Sequence, residues 1–386
     1  MIAYNKTWLQ NKFIQEHSFT ALGEYYITQE EQAAIKIAYP APFYTPNLFI
    51  RIGLFLLTGI IMIFTFGLLA LICLNIIERA AGGLAVFFGM ASFAILEYFI
   101  KIKKHFRSGV DDALCSLGAV SVFSGIFLPS NMNGLSICWV IFIITLFCSL
   151  RYADRLMASG CMLALLGIFF FTCTLIGGDF KAIVPFVIMV VSLIIYITSK
   201  ILNDKTQFYT YGDCLQIIEI VSLISLYLAG NYGIVRELSN TMFDLRLAPA
   251  QSIPFGFVFW ILTVALPLLY LALGAIKRDL VLLRVGLVLV AAIVFTVRYY
   301  HDILNIEVLV TIAGLVMIIF AWALTRYLRF PKHGFSSRER NTAYSQDKLS
   351  VESLALAETF SPQPALPPGT EFGGGSFGGG GASGDF

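Results

Sequence analysis

Long apolar segments separated by short polar connections occupy most of this chain. The segments cover residues 48–74, 82–100, 109–128, 134–150, 156–177, 181–199, 214–230, 253–276, 280–297 and 306–325. A helix of roughly 20 mostly apolar residues is long enough to cross the hydrocarbon core of a bilayer. The pattern therefore predicts an all-α, polytopic membrane helix bundle over 48–325, with about ten transmembrane helices in contact with the lipid bilayer.

The distribution of positive charge predicts the orientation of this bundle. If the N-terminus lies on the cytoplasmic side, the inner connections hold ten Lys and Arg residues and the outer connections hold five. Lys and Arg are enriched in cytoplasmic loops, and a miscounted helix would invert the bias downstream of the error. No inversion occurs along the chain. We expect both termini to be cytoplasmic.

Composition excludes several functional classes. The chain is 58% hydrophobic and only 13% charged, whereas a soluble domain carries roughly 25% charged residues. A net charge of +2 without a basic stripe argues against a nucleic-acid partner. The seven cysteines stand singly, without a CxxC pair or a histidine at metal-ligand spacing, so we interpret them as small buried hydrophobes. We expect no metal and no cofactor.

The polar segment 1–47 precedes the first span and is expected to be a cytoplasmic helical segment. Thr28 and Glu31 form a capping-box pattern that opens a short helix through about Ala38. An earlier helix would carry Trp8, Phe13 and Ile14 on one face. Three prolines end the second helix: Pro40, Pro42 and Pro46. We expect this segment to pack on the membrane face or on the loops.

The connection 231–252 is predicted to contain a short helix. Val235, Leu238, Met242 and Leu245 recur at helical spacing, with polar residues on the other faces. A helix of this kind either lies in the membrane interface or serves as a functional lid.

Residues 326–386 are expected to form a cytoplasmic tail that is Gly-rich and disordered from residue 369. Phe372, Phe377 and Phe386 are spaced through the glycines. Isolated aromatics in a flexible strand favour docking into a groove of a protein partner, and an inert extension is the alternative.

Ionisable residues within spans are costly in a bilayer, so each is a candidate site residue. Glu97 stands one helical turn before Lys101, which is typical of an ion pair near the membrane interface. Glu219 and Arg284 lie at similar depths in two spans and are able to pair if their helices are neighbours. The alternative is a polar cavity open to the cytoplasm, formed by these two residues together with Glu97, Asp111 and Asp112.

Catalytic signatures are absent from the sequence. It contains no HExxH, no GxSxG, no phosphate-binding Walker loop and no GxGxxG turn. An intramembrane enzyme therefore has the least support of the functional classes.

Short motifs at both ends of the predicted bundle resemble a known group of proteins. The motifs are Trp8, ITQEEQAAIKIAYP at 27–40, Arg51-Ile52-Gly53, KRDLVLLRVGL at 277–287 and Arg298-Tyr299-Tyr300. They are similar to bacterial predicted multi-pass inner-membrane proteins of unknown function, which have a short helical segment before many spans. The resemblance implies residence in a bacterial cytoplasmic membrane and transfers no catalytic residue. The tail GGGSFGGGGASGDF separately resembles those of TPM-domain membrane proteins.

Two functions are compatible with these patterns. The first is a non-enzymatic membrane scaffold or accessory subunit that docks partners through its cytoplasmic termini. The second is a transporter or lipid-handling protein with an inward-facing polar site. The aromatic-spaced tail favours the scaffold, and the charged residues within spans favour the transporter.

Overall fold

The computed structural model describes residues 2–23, 26–176, 183–243, 253–277, 279–300 and a few single positions between 311 and 326. The described part of the chain is all-helical, and its β-structure is limited to one isolated bridge between Tyr44 and His105. The helices are α1 Lys6–Gly23, α2 Gln29–Ala38, α3 Leu48–Ile72, α4 Leu74–Lys101, α5 Val110–Phe127, α6 Gly134–Tyr152, α7 Arg155–Ile176, α8 Val184–Asn203, α9 Gly212–Gly230, α10 Tyr232–Phe243, α11 Gly256–Lys277 and α12 Leu280–Tyr300.

Eight helices of the described chain are long and apolar enough to cross a membrane. They correspond to the first eight predicted spans, which confirms a multi-pass membrane protein. The ninth predicted span matches α12, whose apolar stretch is Leu280–Ile293. The tenth, 306–325, lies almost entirely outside the described residues. One boundary differs clearly from the prediction: α4 begins at Leu74, with only Cys73 between it and the end of α3, so the predicted connection before residue 82 is helical.

Successive spans alternate in direction, so the polar connections gather at two ends of the bundle. The end at which α3, α5 and α7 begin also receives the N-terminal segment, and we call it the N-face. Contacts across the connections fix this end: the Ala3 amide donates to the Arg151 carbonyl at 2.8 Å, and the Tyr209 hydroxyl donates to the Lys6 carbonyl at 3.3 Å. The N-terminal segment therefore packs on the loops of the N-face.

Two local features that the sequence predicts are present in the structure. In α2 the Glu31 amide donates to the Thr28 hydroxyl, and the Glu31 carboxylate accepts from the Thr28 amide, which confirms the capping box. The predicted helix in the connection 231–252 is also present, as α10. Its buried side is formed by Tyr232, Val235 and Arg236, so Arg236 faces the protein rather than solvent.

Glycines bring α4 and α5 into close contact. A Cβ at Gly82 would lie 2.5 Å from the Gly125 carbonyl oxygen, and a Cβ at Gly89 would lie 2.7 Å from that of Gly118. Small residues are what allow membrane helix backbones to approach this closely, because lipid supplies no hydrophobic drive for helix association. The seven-residue spacing on both helices aligns the two contacts along one seam.

All seven cysteines are free thiols. Cys115, Cys148 and Cys214 are buried and the other four are half-buried. The interpretation as small hydrophobes thus holds fully for the three buried residues.

Candidate ligand-binding cavity

A cavity of about 290 Å³ lies at the N-face, where α3, α5 and α7 begin. Its lining carries three arginines and three aspartates next to apolar side chains. The charged residues are Arg51, Arg107, Arg155, Asp111, Asp112 and Asp154. Ligand pockets typically have volumes from roughly 300 Å³ upward and combine apolar walls with a few polar groups. At about 290 Å³ the cavity is at the lower limit of this range, and its lining has this mixed character.

The first turn of α3 carries the first charged pair. Asn47 caps this helix by accepting from the Ile50 amide at 3.0 Å, which places Arg51 in the first turn. Arg51 donates from Nη2 at 2.6 Å and from Nε at 2.9 Å to Asp112 Oδ2. Both side chains are partly buried. The pair therefore joins α3 to α5 at the cavity wall.

The loop before α5 is folded tightly around Asp111. The Asp111 carboxylate accepts from the Arg107 amide at 2.6 Å, from the Ser108 amide at 2.8 Å and from the Ser108 hydroxyl at 3.0 Å. The Ser108 hydroxyl also lies 2.7 Å from His105 Nδ1. Arg107 and Gly109 have φ angles of 50° and 89°, in the region that favours glycine. Backbone strain of this kind concentrates at functional sites.

Asp154 forms the turn between α6 and α7. Ala153 adopts a left-handed conformation with φ 50°, and Asp154 caps α7 by accepting from the Met157 amide at 2.8 Å. Burial raises the pKa of Asp154 to about 6, and the negative charges of Asp112 and Asp111 add to the shift. Within the described chain, Asp154 is the one cavity aspartate with neither an ion pair nor a side-chain donor, because its hydrogen bonds come from the backbone amides of Met157 and Leu156.

Asp213, in the first turn of α9, holds the remaining two arginines. It pairs with Arg107 and also with Arg155, the latter at 3.0 Å. Because Arg51 is held by Asp112, all three cavity guanidinium groups have a carboxylate partner. The network ties α3, α5, α7 and α9 together at the N-face.

An aromatic cluster from the N-terminal segment completes the wall. Tyr4 is 7% exposed and makes edge contacts with Phe43 and Phe106, at ring-centroid distances of 6.2 and 5.0 Å. Arg107 lies 5.0 Å from the centre of the Phe106 ring. Burial raises the pKa of Tyr4 well above its ordinary value, which keeps its hydroxyl protonated. Residues before α1 are thus part of the cavity.

The structure separates the five intramembrane residues that the sequence grouped into one polar site. Asp111 and Asp112 line the cavity. Glu97 forms the predicted pair with Lys101 at 2.7 Å, and it also pairs with Arg151 of α6 at 2.7 Å. Glu97 is not part of the cavity lining. Its ion pairs instead connect the N-face ends of α4 and α6.

Glu219 and Arg284 do not form the ion pair considered from the sequence. Glu219 is 4% exposed, and its Oε1 lies 3.4 Å from the Asn203 side-chain amide. Arg284 is exposed, and no ion pair of the described residues joins the two. The neighbouring ion pair at this end of the bundle is Lys200 with Asp279. Equal depth did not place the two side chains together, because it leaves the rotation of each helix about its axis undetermined.

Sequence reasoning missed four of the charged residues at the cavity: Arg51, Arg107, Asp154 and Arg155. It assigned Arg107 and Arg155 to the positive-inside count and gave Asp154 no role. The sequence RYADR at 151–155 carried a usable signal, since a carboxylate between two arginines in a two-residue turn must sit at a helix end. The tail residues Phe372, Phe377 and Phe386 lie outside the described residues.

Among the residues that the structure describes, no group of three or more His, Cys, Asp or Glu side chains is arranged to hold a metal ion. Comparison with known proteins adds no family: no protein-family model, no curated protein and no solved structure matches this chain. The resemblance to bacterial multi-pass inner-membrane proteins of unknown function, and that of the tail to TPM-domain proteins, therefore stay predictions. The chain is a multi-pass helical membrane protein with a charged cavity at its N-face.

Proposed function

We propose that this protein is a transporter or lipid-handling protein that binds a small solute or a lipid headgroup in the N-face cavity. The observation that carries the proposal is a cavity of about 290 Å³ lined by six charged side chains at the ends of membrane helices. Several of these side chains are partly or fully buried, and charged groups that face the interior of a membrane protein mark substrate and ion pathways.

The ion pairs also support a binding role over a purely structural one. An ion pair that serves stability alone requires only its two charged side chains. Well-packed apolar residues in place of such a pair are often at least as stabilising. Here the paired side chains also line a cavity of about 290 Å³. Apolar walls from Phe55 and Leu96 adjoin them, which is the combination that small-molecule sites show.

Blocking the cavity is expected to remove a bound small molecule. The full chain would be purified in mild detergent, denatured, and its released compounds identified by mass spectrometry. We expect Ser116→Phe and Leu156→Trp to abolish a compound that wild-type protein releases, because both side chains line the cavity. Leu156 is 63% exposed, so its replacement is compatible with folding.

Val120→Phe is the matched control, because Val120 lies one turn from Ser116 on α5 and is 58% exposed away from the cavity. It should release the same compounds as wild type. Identical compound profiles from the folded blocking variants and from wild type would refute the proposal.

We further propose that the N-face is cytoplasmic and that the membrane is a bacterial inner membrane. The excess of Lys and Arg in the connections on this side supports the orientation. Labelling Lys104→Cys in intact cells, with a thiol reagent that does not cross membranes, tests it. Labelling without permeabilisation would overturn the orientation.

The scaffold function rests on the tail, and its test is separate. If the tail docks a protein partner, in-cell cross-linking followed by affinity purification should capture that partner with the full chain and lose it with a chain ending at Pro368. The same captures from both chains would make the tail an inert extension. Either result leaves the cavity experiment unaffected.

A further inference from the structure

We infer that the N-face cavity binds a ligand carrying one positive charge, an organic ammonium compound, with the Asp154 carboxylate as its counter-ion. The inference rests on the proposed function and names the class of ligand for the same site. It follows from the balance of charge in the cavity, from the hydrogen bonds of Asp154 and from the apolar walls.

The charge balance leaves one negative charge unmatched. The cavity network contains the guanidinium groups of three arginines and the carboxylates of four aspartates, when Asp213 is included. Asp112 neutralises Arg51, and Asp213 is shared between Arg107 and Arg155. Asp111 is held by the two loop amides and the Ser108 hydroxyl. Among the cavity carboxylates, Asp154 is the one whose donors are backbone amides alone, those of Met157 and Leu156.

Asp154 is able to receive a cation without giving up its structural role. Its Oδ1 accepts the Met157 amide, and a carboxylate offers about four acceptor positions on its two oxygens. A proton is the alternative occupant, which agrees with the pKa of about 6 that burial and the neighbouring carboxylates give this residue. A ligand cation and a proton therefore compete for one group.

Among the residues that the structure describes, every cation that lines the cavity already has a carboxylate partner. The titratable and charged groups around Asp154 are Tyr4 of the N-terminal segment, Arg51 of α3, Arg107 of the loop, Asp111, Asp112 and Cys115 of α5, Tyr152 of α6, Arg155 of α7, and Asp213 and Cys214 of α9. The tyrosines and cysteines are neutral, and each arginine is already paired. An added cation would thus neutralise the network.

The walls favour an organic cation over a metal ion. Phe55 and Leu156 offer aromatic and apolar surface to a ligand body, and aromatic faces attract ammonium groups. A divalent metal ion needs several converging oxygen ligands, which the described carboxylates do not provide. A cavity of about 290 Å³ is at the small end of ligand pockets, so the ligand is a small molecule.

Three small molecules of similar shape, one positive, one neutral and one negative, test which ligand charge the cavity prefers. The full chain in nanodiscs would be titrated with phenethylammonium, phenethyl alcohol and phenylacetate at several pH values, with thermal stability as the readout. We expect stabilisation by the ammonium compound alone. Its apparent affinity should be about tenfold weaker at pH 5 than at pH 8, because a proton on a group with a pKa of about 6 excludes the ligand cation.

Asp154→Asn is the matched variant, because asparagine is as good an N-cap as aspartate and should preserve α7. It should bind the ammonium probe at least tenfold more weakly and lose the pH dependence, while melting normally in a thermal scan. If Asp154→Asn does not fold, the pH profile of wild-type binding decides alone. An affinity that is the same from pH 5 to pH 8 would overturn the inference.

The outcomes separate this inference from the proposed function. Stabilisation by phenylacetate instead of phenethylammonium would overturn the charge assignment and leave the cavity as a binding site. If no probe binds and blocking the cavity does remove a released compound, only the ammonium inference fails. If no probe binds and blocking changes nothing, both fail. A free amine and a lipid amine headgroup are distinguished by the class of the released compound.

Discussion

Replacing Gly109 by alanine should strongly destabilise the N-face and abolish ligand binding in the cavity. Gly109 has a φ of 89°, and a Cβ built on it would lie 2.1 Å from the carbonyl oxygen of Arg51 and 3.0 Å from the amide nitrogen of Phe55. Both contacts are with backbone, so no side-chain rotation relieves them. The backbone conformation alone costs about 1–3 kcal/mol in a residue other than glycine.

The consequences of this change extend to the site because Gly109 lies between its charged residues. The shift of α3 that relieves the clash would separate Arg51 from Asp112, and distortion of the loop would remove the amides that hold Asp111. The measurement is the midpoint of thermal unfolding of the full chain in detergent, which we expect to fall by several degrees.

Gly53→Ala provides the control. Gly53 lies on the same helix end in α3, and a Cβ there meets nothing within 4 Å. Alanine favours a helix over glycine by about 1 kcal/mol, so this variant should melt at or above the wild-type temperature. Equal melting of Gly109→Ala and Gly53→Ala would show that the loop tolerates a Cβ and that the described approach of the backbones is wrong.

Gly125→Ala is expected to have the second large effect, by forcing α4 and α5 apart. Its Cβ would lie 2.5 Å from the Gly82 carbonyl oxygen and 2.7 Å from the Val86 amide nitrogen. Overpacking a close contact costs about 1–3 kcal/mol, and here the atoms that must move are backbone. We expect a lower thermal midpoint together with weakened binding, because α5 carries Asp111 and Asp112.

Gly83→Ala tests whether this effect comes from the helix contact. Gly83 is the neighbour of Gly82 on α4, and a Cβ at Gly83 meets nothing within 4 Å. This variant should melt as the wild type does. Equal destabilisation by Gly83→Ala would show that the loss does not come from the seam between α4 and α5, since alanine by itself favours the helix.

Local features of the fold were predictable because neighbouring residues generate them. The capping box of Thr28 and Glu31 depends on residues three apart, and it forms as predicted. The pair of Glu97 and Lys101 depends on one turn of helix, and it also forms. Glu97 also pairs with Arg151 of α6, and this contact depends on which helices are neighbours. Helix contacts of this kind are not encoded in local spacing.

The residues of the cavity could be predicted only in part, for the same reason. Asp111 and Asp112 were candidates because charge in a span is costly, and that argument needs only hydropathy. Arg51, Asp154 and Arg155 sit at helix ends, where charge is ordinary, and a position at a helix end does not by itself distinguish a cavity residue from a solvated one. Glu219 and Arg284 lie at similar depths in their spans and yet do not pair. Depth along a helix does not determine in which direction a side chain points from the helix axis.

The sequence by itself determined that this chain is a multi-pass helical membrane protein, because a bilayer imposes the length and apolarity of each span one segment at a time. It also determined the helix caps, which depend on contacts within one turn. Only the tertiary structure decided that three arginines and three aspartates from different parts of the chain line one cavity. The close approach of backbones at Gly82 with Gly125 and at Arg51 with Gly109 sets that arrangement, and it depends on contacts between residues distant in the chain.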